Sequence, residues 1–173
     1  MSTRSNLILT GFMGTGKSTV GRLVAEETGM DHVDTDDVIE ERHGTIASIF
    51  ATGGENRFQD LEREVAADLA GLERTVISTG GQTMLHEANV LTLGASGVVI
   101  CLVAEPHEIY QRLMSDPTTR ERPLLMGSDP RARITELLAQ RAEGYARFPQ
   151  VQTDGLTPHA AAQEVLDLWD RQR

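Results

Sequence analysis

The feature that most constrains this chain is a glycine-rich segment at residues 11–18, which reads Gly-Phe-Met-Gly-Thr-Gly-Lys-Ser. It matches the pattern G-x-x-x-x-G-K-[ST] in full, and it follows an apolar run at residues 7–9 that is typical of a buried strand. Val20, Leu23 and Val24 then repeat at helical spacing. The segment is therefore predicted to be a strand-to-helix turn, in which backbone N–H groups and the helix N-terminus hold a polyphosphate. An ordinary glycine turn is the alternative, and the flanking strand and helix argue against it.

The polar side chains of this loop suit a nucleoside triphosphate. Lys17 is placed to reach the β- and γ-phosphates, and the Ser18 hydroxyl is placed to ligate Mg²⁺. We therefore expect ATP and Mg²⁺ as cofactors, with contacts from Gly14, Thr15, Gly16, Lys17, Ser18 and Thr19.

Composition narrows the class of protein. A chain of 173 residues predicts a single domain over residues 1–173, and a net charge of −10 argues against a nucleic-acid partner. No apolar run approaches the roughly 20 residues that span a bilayer, and Arg4 leads directly into the first strand. We expect no signal peptide, no membrane partner and a cytoplasmic location. The single cysteine, Cys101, lies in an apolar run and is predicted to be a buried thiol.

Strand-like and helix-like segments alternate along the chain, which predicts an α/β three-layer sandwich with a five-stranded parallel sheet. The predicted strands lie at 7–9, 32–34, 75–78, 98–103 and near Val151, and the predicted helices after the first lie at 36–43, 45–51, 55–70, 106–114, 130–146 and 158–171. Residues 115–129 contain two prolines and a glycine, and we interpret them as a mobile lid that delivers an arginine.

Two further motifs follow predicted strands, at the edge of the sheet where ligands bind in such folds. Asp34-Thr35-Asp36 offers one carboxylate for the Mg²⁺ hydration shell and another that accepts a proton from an attacking hydroxyl. The alternative is that Asp36 only caps the next helix. Gly80-Gly81 permits close approach of backbone to a ligand, and Ser78 or Thr79 is a candidate support for the metal's water shell.

From Leu7 to Val165 these motifs, in this order, resemble the shikimate kinase family. The resemblance rests on the phosphate loop, Asp34-Thr35-Asp36 with Ile39-Glu40, Ile49-Phe50-Ala51, Gly54-Glu55, Phe58 with Glu62, Gly80-Gly81, Arg122-Pro123-Leu124-Leu125, and Arg141 with Tyr145. It implies a P-loop fold like that of the nucleoside-monophosphate kinases, and transfer of the ATP γ-phosphoryl group to a ring hydroxyl of shikimate. It also implies a role in aromatic amino-acid biosynthesis and a monomer.

The resemblance also implies residue roles. Lys17 and Arg122 would stabilise the transferred phosphoryl group, and Ser18 with Asp34 would serve Mg²⁺. Asp36 would bind the acceptor hydroxyl and assist its deprotonation, and Arg141 would grip the shikimate carboxylate. Arg120 and residues 153–158 would lie on the nucleotide side, and residues 35–70 would form an acceptor-binding helical region with Gly80 and Gly81 opposite.

Two departures from the family pattern fall in the acceptor pocket. Gln59 follows Phe58 where the family has an arginine, and Gln82 stands where it usually has a third glycine. Arg57 is two positions from Gln59, about 200° around a helix, and is expected to point elsewhere. We expect Gln59 and Gln82 to be substrate-binding and specificity residues. A kinase for another hydroxy acid or a gluconate-like polyol, a nucleotide-binding protein without kinase activity, and a catalytically silent family member are the alternatives.

Overall fold

A parallel sheet forms the centre of the molecule. The computed structural model describes residues 5–117 and 125–173, and in them five strands form one sheet in the order β2-β3-β1-β4-β5. The strands are β1 (Asn6–Gly11), β2 (Asp31–Asp34), β3 (Thr75–Ser78), β4 (Gly97–Val103) and β5 (Gln150–Gln152). Every pairing is parallel, and the central strand β1 is buried along its whole length. The predicted five-stranded parallel sheet is confirmed.

Helices cover both faces of this sheet. In the described residues they are α1 (Lys17–Thr28), α2 (Thr35–His43), α3 (Ile46–Leu69), α4 (Glu87–Ser96), α5 (Pro106–Ser115), α6 (Pro130–Tyr145) and α7 (Pro158–Gln172), with a 3-10 turn at Thr83–Leu85. Leu7 and Leu9 pack with α1 and α7, whereas Ile8 packs with α2, α3 and α4 on the opposite face. This alternation is the two-residue period of a strand. A third cluster joins α5 and α6 to Phe12 and Cys101. Burial raises the pKa of the Cys101 thiol to about 12.

The predicted helices agree with the structure except in one place. The helices predicted at 45–51 and 55–70 are the two segments of α3, which meet at a kink at Gly54, where φ is 69° and ψ is −171°. Helix α4 and the 3-10 turn before it have no counterpart in the prediction. Helix α4 has apolar residues on both its buried and its exposed face, since Leu93 is buried whereas Leu91 is 67% exposed. Its sequence therefore lacks a clear helical period of apolar residues.

The topology places the candidate motifs at one edge of the sheet. The phosphate loop follows β1, Asp34 ends β2, and Ser78 ends β3, and these three strands are neighbours. The carboxyl ends of parallel strands lie at the same edge, where α/β sheets bind ligands. No helix in the described ranges combines the length and the apolar character needed to cross a membrane. Residues 118–124, which include Arg120 and Arg122, lie outside the described residues, so the lid stays a prediction.

Candidate active site

Side chains of the phosphate loop form hydrogen bonds with carbonyl groups of the loop's own backbone. Gly16 has φ 98° and ψ 17°, a left-handed conformation that favours glycine, and it immediately precedes α1. Nζ of Lys17 donates to the carbonyl oxygens of Gly11 and Phe12 at 2.7 and 2.9 Å. The Thr15 hydroxyl donates to the Phe12 carbonyl at 2.7 Å, so this side chain braces the loop from behind. The first turn of α1 contains no acidic residue, which leaves the positive end of the helix dipole available to an anion.

Ser18 and Asp34 are directly bonded. The Ser18 hydroxyl donates to Oδ2 of Asp34, while Oδ1 of Asp34 accepts from the Asp36 backbone N–H at 2.9 Å. Asp34, rather than Asp36, is therefore the residue that caps α2. The described residues contain no group of three or more His, Cys, Asp or Glu side chains that could hold a metal ion. A hydroxyl beside a carboxylate is nevertheless the sparse oxygen donor set that Mg²⁺ uses when phosphates supply further ligands.

Ser78 and Thr79, the candidate supports for a metal's water shell, are both bonded to backbone. The Ser78 hydroxyl donates to the Lys17 carbonyl at 3.0 Å and lies 2.9 Å from Nε2 of His32. The Thr79 hydroxyl donates to the Leu9 carbonyl at 3.1 Å. Burial lowers the pKa of His32. These side chains tie the end of β3 to β1 and α1, and only Thr79 of the two lines the cleft.

Gly80 lies where three side chains on the acceptor side converge. A Cβ atom at Gly80 would lie 2.9 Å from Oδ1 of Asp36, 3.0 Å from Oε1 of Glu62 and 3.1 Å from Oγ1 of Thr83. The Gly80 backbone N–H donates to the Thr35 hydroxyl at 2.9 Å. Glycine at this position therefore allows carboxylates from α2 and α3 to approach the end of β3 closely.

Glu62 is a site residue that belongs to the family resemblance but had no role among the sequence-based expectations. It is fully buried, and Oε1 accepts from the Thr83 hydroxyl at 2.6 Å. Burial raises the pKa of Glu62 to about 7, and the negative charge of Asp36 acts in the same direction. The sequence did contain a signal, because Glu62 interrupts the apolar stripe of Phe58, Val65 and Leu69 at helical spacing.

Arg141 and Tyr145 reach the same cleft from α6. Arg141 is 8% exposed, and its guanidinium carbon lies 5.3 Å from the centroid of the Phe12 ring. The Tyr145 hydroxyl donates to the Gly81 carbonyl at 2.6 Å, and burial raises the pKa of Tyr145 to about 12. Tyr145 is therefore a neutral donor that holds the peptide of Gly81 in place.

Arg112 is a second residue at the site for which the sequence motifs gave no specific role. Its guanidinium donates to the Gly14 carbonyl at 3.3 Å and to the hydroxyl and carbonyl of Thr153, both at 3.0 Å. Glu108, one turn earlier on α5, pairs with it at 3.1 Å. Arg112 thus connects the phosphate loop to the loop that follows β5. The Glu108–Arg112 spacing of four residues was the available signal, although such pairs are common on exposed helices.

One cavity of about 590 Å³ contains most of the predicted site. It brings together Gly14, Gly16, Lys17, Ser18, Thr19, Asp34, Asp36, Gly80, Gly81, Gln82 and Arg141, and adds Glu62. Thr15 and Gln59 are not among the lining residues. Gln59 is half-buried on α3 and Arg57 on the same helix is exposed. A volume of this size is typical of small-molecule sites.

The fold and the cleft define a P-loop small-molecule kinase. A family model described as shikimate kinase matches residues 13–169. The chain belongs to the shikimate kinase family.

Several relatives match over nearly the whole chain. The shikimate kinase of Thermodesulfovibrio yellowstonii is 42% identical over 96% of this chain and 95% of its own length. That of Gloeobacter violaceus is 43% identical over 93% of this chain and 90% of its own. A structure of shikimate kinase from Acinetobacter baumannii in complex with shikimate has a TM-score of 0.91 at 31% identity, covering 99% of this chain and 96% of that one.

These matches decide between the alternatives from the sequence. A gluconokinase from Sinorhizobium meliloti also aligns, with a TM-score of 0.59 at 16% identity over 98% of this chain and 95% of that one. A likeness at that identity shows the fold alone. The relatives favour a shikimate kinase over a polyol kinase or a protein without kinase activity.

Proposed function

We propose that this protein transfers the γ-phosphoryl group of ATP to a ring hydroxyl of shikimate, which gives shikimate 3-phosphate and ADP. The observation that carries the proposal is that a single cavity joins the phosphate loop to Asp36 and Arg141. Donor and acceptor groups therefore meet in a site that can exclude water, as phosphoryl transfer to an alcohol requires.

The donor side positions the triphosphate. Backbone N–H groups of residues 14–19 and the N-terminus of α1 bind the phosphate oxygens. Lys17, already directed at the loop by its bonds to Gly11 and Phe12, carries the positive charge that stabilises the transferred group. Arg112 donates to Thr153 and so holds the loop that follows β5, which is expected on the nucleotide side of the site. Arg120 and Arg122 keep their expected roles on the nucleotide and on the transferred phosphoryl group.

Ser18 and Asp34 are the residues that would hold Mg²⁺. Their bonded hydroxyl and carboxylate are hard oxygen donors adjacent to the phosphate loop, and both line the cavity. When bound, the ion supplies charge neutralisation on the β- and γ-phosphate oxygens. Asp34 is also fixed by the Asp36 N–H, so its carboxylate is oriented before any ligand enters.

The acceptor side uses one carboxylate and one guanidinium. Asp36 accepts a hydrogen bond from the attacking hydroxyl and takes its proton as the O–P bond forms. Arg141 binds the acceptor carboxylate with charge-assisted hydrogen bonds. Gly80 and Gly81 leave space for the ring between these two groups. We propose that the protein acts as a monomer in the cytoplasm.

The proposal is tested with a coupled ADP-release assay on shikimate, quinate and gluconate, with phosphorus NMR to identify the product. We expect ADP release to depend on shikimate and to be at least about 100-fold faster than with gluconate, since gluconate lacks a ring that presents hydroxyl and carboxylate at fixed separation. Equal turnover of all three acceptors, or ADP release that no acceptor accelerates, would contradict the proposal.

The donor site has an independent test, because Lys17 is the single lysine in the 173-residue chain. An amine acylating reagent followed by mass spectrometry reports on this side chain and the N-terminal amine alone. ATP with Mg²⁺ should protect Lys17 and leave the N-terminal amine unprotected. Light scattering after size exclusion tests the monomer.

A further inference from the structure

Gln82 is the departure from the family pattern that lies inside the cleft. Its φ of −101° and ψ of −16° lie in the right-handed helical region, so the backbone does not require glycine there. The residue directly precedes the 3-10 turn, is half-buried and lines the cavity. A glutamine is therefore accommodated at this position without backbone strain.

Two charged groups determine how the Gln82 amide is turned. With its carbonyl oxygen toward Arg141, that oxygen accepts from Nη2 at 3.0 Å, and the amide nitrogen donates to Oε1 of Glu55 at 3.1 Å. The opposite orientation would direct the amide hydrogens at the guanidinium and the oxygen at the carboxylate, so the hydrogen-bond partners select the first. Gln82 thus links a carboxylate at the rim of the cleft to the guanidinium inside it.

The bond from Gln82 restrains one end of a buried guanidinium. Nη1 of Arg141 is buried and has no hydrogen-bond partner among the described residues. It lies 3.4 Å from the position of a Cβ atom on Gly81, which is an ordinary contact distance at the wall of the cavity. Holding Nη2 therefore fixes the plane of the guanidinium and leaves Nη1 to donate to an anionic ligand.

In the described part of the chain, no second arginine lines the cavity and shares the binding of an anionic ligand with Arg141. Among residues 5–117 and 125–173, it is the one arginine that lines the cavity. Gln59 occupies the position where the family has an arginine, and it does not line the cavity. The orientation of a single guanidinium consequently determines how well an acceptor carboxylate is held.

We infer that Gln82 is a positioning residue for the acceptor, which orients Arg141 toward the acceptor carboxylate and is itself oriented by Glu55. The inference rests on the proposed function, because it takes a carboxylate-bearing acceptor as the ligand of Arg141. The bond from Gln82 acts equally before and during phosphoryl transfer. Its loss therefore weakens acceptor binding and leaves the chemical step unchanged.

The test compares wild-type protein with Gln82→Met, which keeps the side-chain size and removes both hydrogen bonds. A lost hydrogen bond to a charged group corresponds to about a 10- to 100-fold change in affinity. We expect the KM for shikimate to rise by that factor, with kcat and the KM for ATP within about twofold of wild type. Gln140→Met is the matched control, because Gln140 is exposed on α6 and adjoins Arg141 in sequence.

Each outcome has one meaning. A shikimate KM for Gln82→Met within about twofold of wild type overturns the inference, and so does an equal rise for Gln140→Met. A fall in kcat with no rise in the shikimate KM overturns it as well. If thermal unfolding shows that Gln82→Met is unfolded, Gln82→Ala carries the same expectation. Wild-type protein that binds ATP but does not phosphorylate shikimate defeats the proposed function itself, which the variants are not needed to show.

Discussion

Glu62 gives a prediction about stability and pH, because its carboxyl group is fully buried. Burial raises the pKa of Glu62 from the ordinary 4.5 to about 7. Below pH 4.5 the group is protonated in both folded and unfolded chains. Between 4.5 and about 7 the folded protein keeps a proton that the unfolded chain has lost, so stability falls as the pH rises. That interval, at about 1.4 kcal/mol per pH unit, corresponds to about 3 kcal/mol.

Glu62→Gln removes this pH dependence while keeping an oxygen that accepts from the Thr83 hydroxyl. Urea unfolding at pH values from about 4.5 to about 8 measures the free energy of unfolding of both proteins. We expect the variant to gain about 3 kcal/mol relative to wild type between the two ends of that range. This gain is a change with pH, because the amide of Glu62→Gln does not titrate. It is therefore expected whether the variant is more or less stable than wild type at the acidic end of the range.

Glu64→Gln is the control for this experiment, because Glu64 lies on the same helix and is exposed. Its unfolding free energy should run parallel to that of wild type over the whole range. If the difference between Glu62→Gln and wild type is constant with pH to within about 0.5 kcal/mol, the raised pKa is refuted, since such a change is well below the value expected from linkage.

Three further substitutions test the site. Asp36→Asn should lower kcat by at least about 100-fold with a smaller change in the shikimate KM, because a general base contributes to the transfer step. Gly80→Ala places a methyl group 2.9 Å from Oδ1 of Asp36 and should lower kcat and cost about 1–3 kcal/mol of stability, measured by kinetics and urea unfolding. Arg112→Met removes the bonds to Gly14 and Thr153 and should raise the KM for ATP by about 10-fold or more, with the shikimate KM unchanged.

Each of these substitutions has a matched control away from the cleft. Asp60→Asn and Arg63→Met alter an exposed ion pair on α3 and should change neither kcat nor either KM. Gly94→Ala adds a methyl group with no atom within 4 Å and should not lower kcat. A Gly80→Ala protein with wild-type kcat would contradict the close approach of the Asp36 carboxylate, and an unchanged ATP KM in Arg112→Met would contradict its role at the phosphate loop.

The donor half of the site was predictable because it is local in sequence. Residues 11–18 form a continuous strand-to-helix turn, so the pattern of residues determines the geometry. Asp34 and Gly80 were predictable for a related reason, since each follows a strand and all strand ends meet at one edge of a parallel sheet. The assignment of strands needed only short apolar runs, which parallel strands buried on both faces provide.

The acceptor half was less predictable because its contacts join distant residues. Thr83 meets Glu62 from 21 residues away, and Tyr145 meets Gly81 from 64 residues away. Gln82 was expected to be a substrate-binding and specificity residue, and the sequence could not show that Glu55 and Arg141 flank its amide. Position 59 was placed in the pocket by resemblance, yet the turn of α3 presents Phe58 and Glu62 to the cavity instead.

The charge of the cleft explains why a proton on Glu62 matters for function as well as for stability. In the described residues the cavity is lined by six carboxyl groups and two cationic side chains, Lys17 and Arg141. In the proposed function, an acceptor carboxylate bound at Arg141 would add another negative charge near Asp36 and Glu62. The proposed role of Asp36 requires an ionised carboxylate, whereas Glu62 transfers no proton in that reaction, so a proton on Glu62 lowers the negative charge of the cleft without loss of chemistry. Burial of Glu62 raises its pKa to about 7 against the opposing effect of the hydrogen bond from Thr83, so this carboxyl group keeps a proton up to near neutral pH and then adds no negative charge beside Arg141.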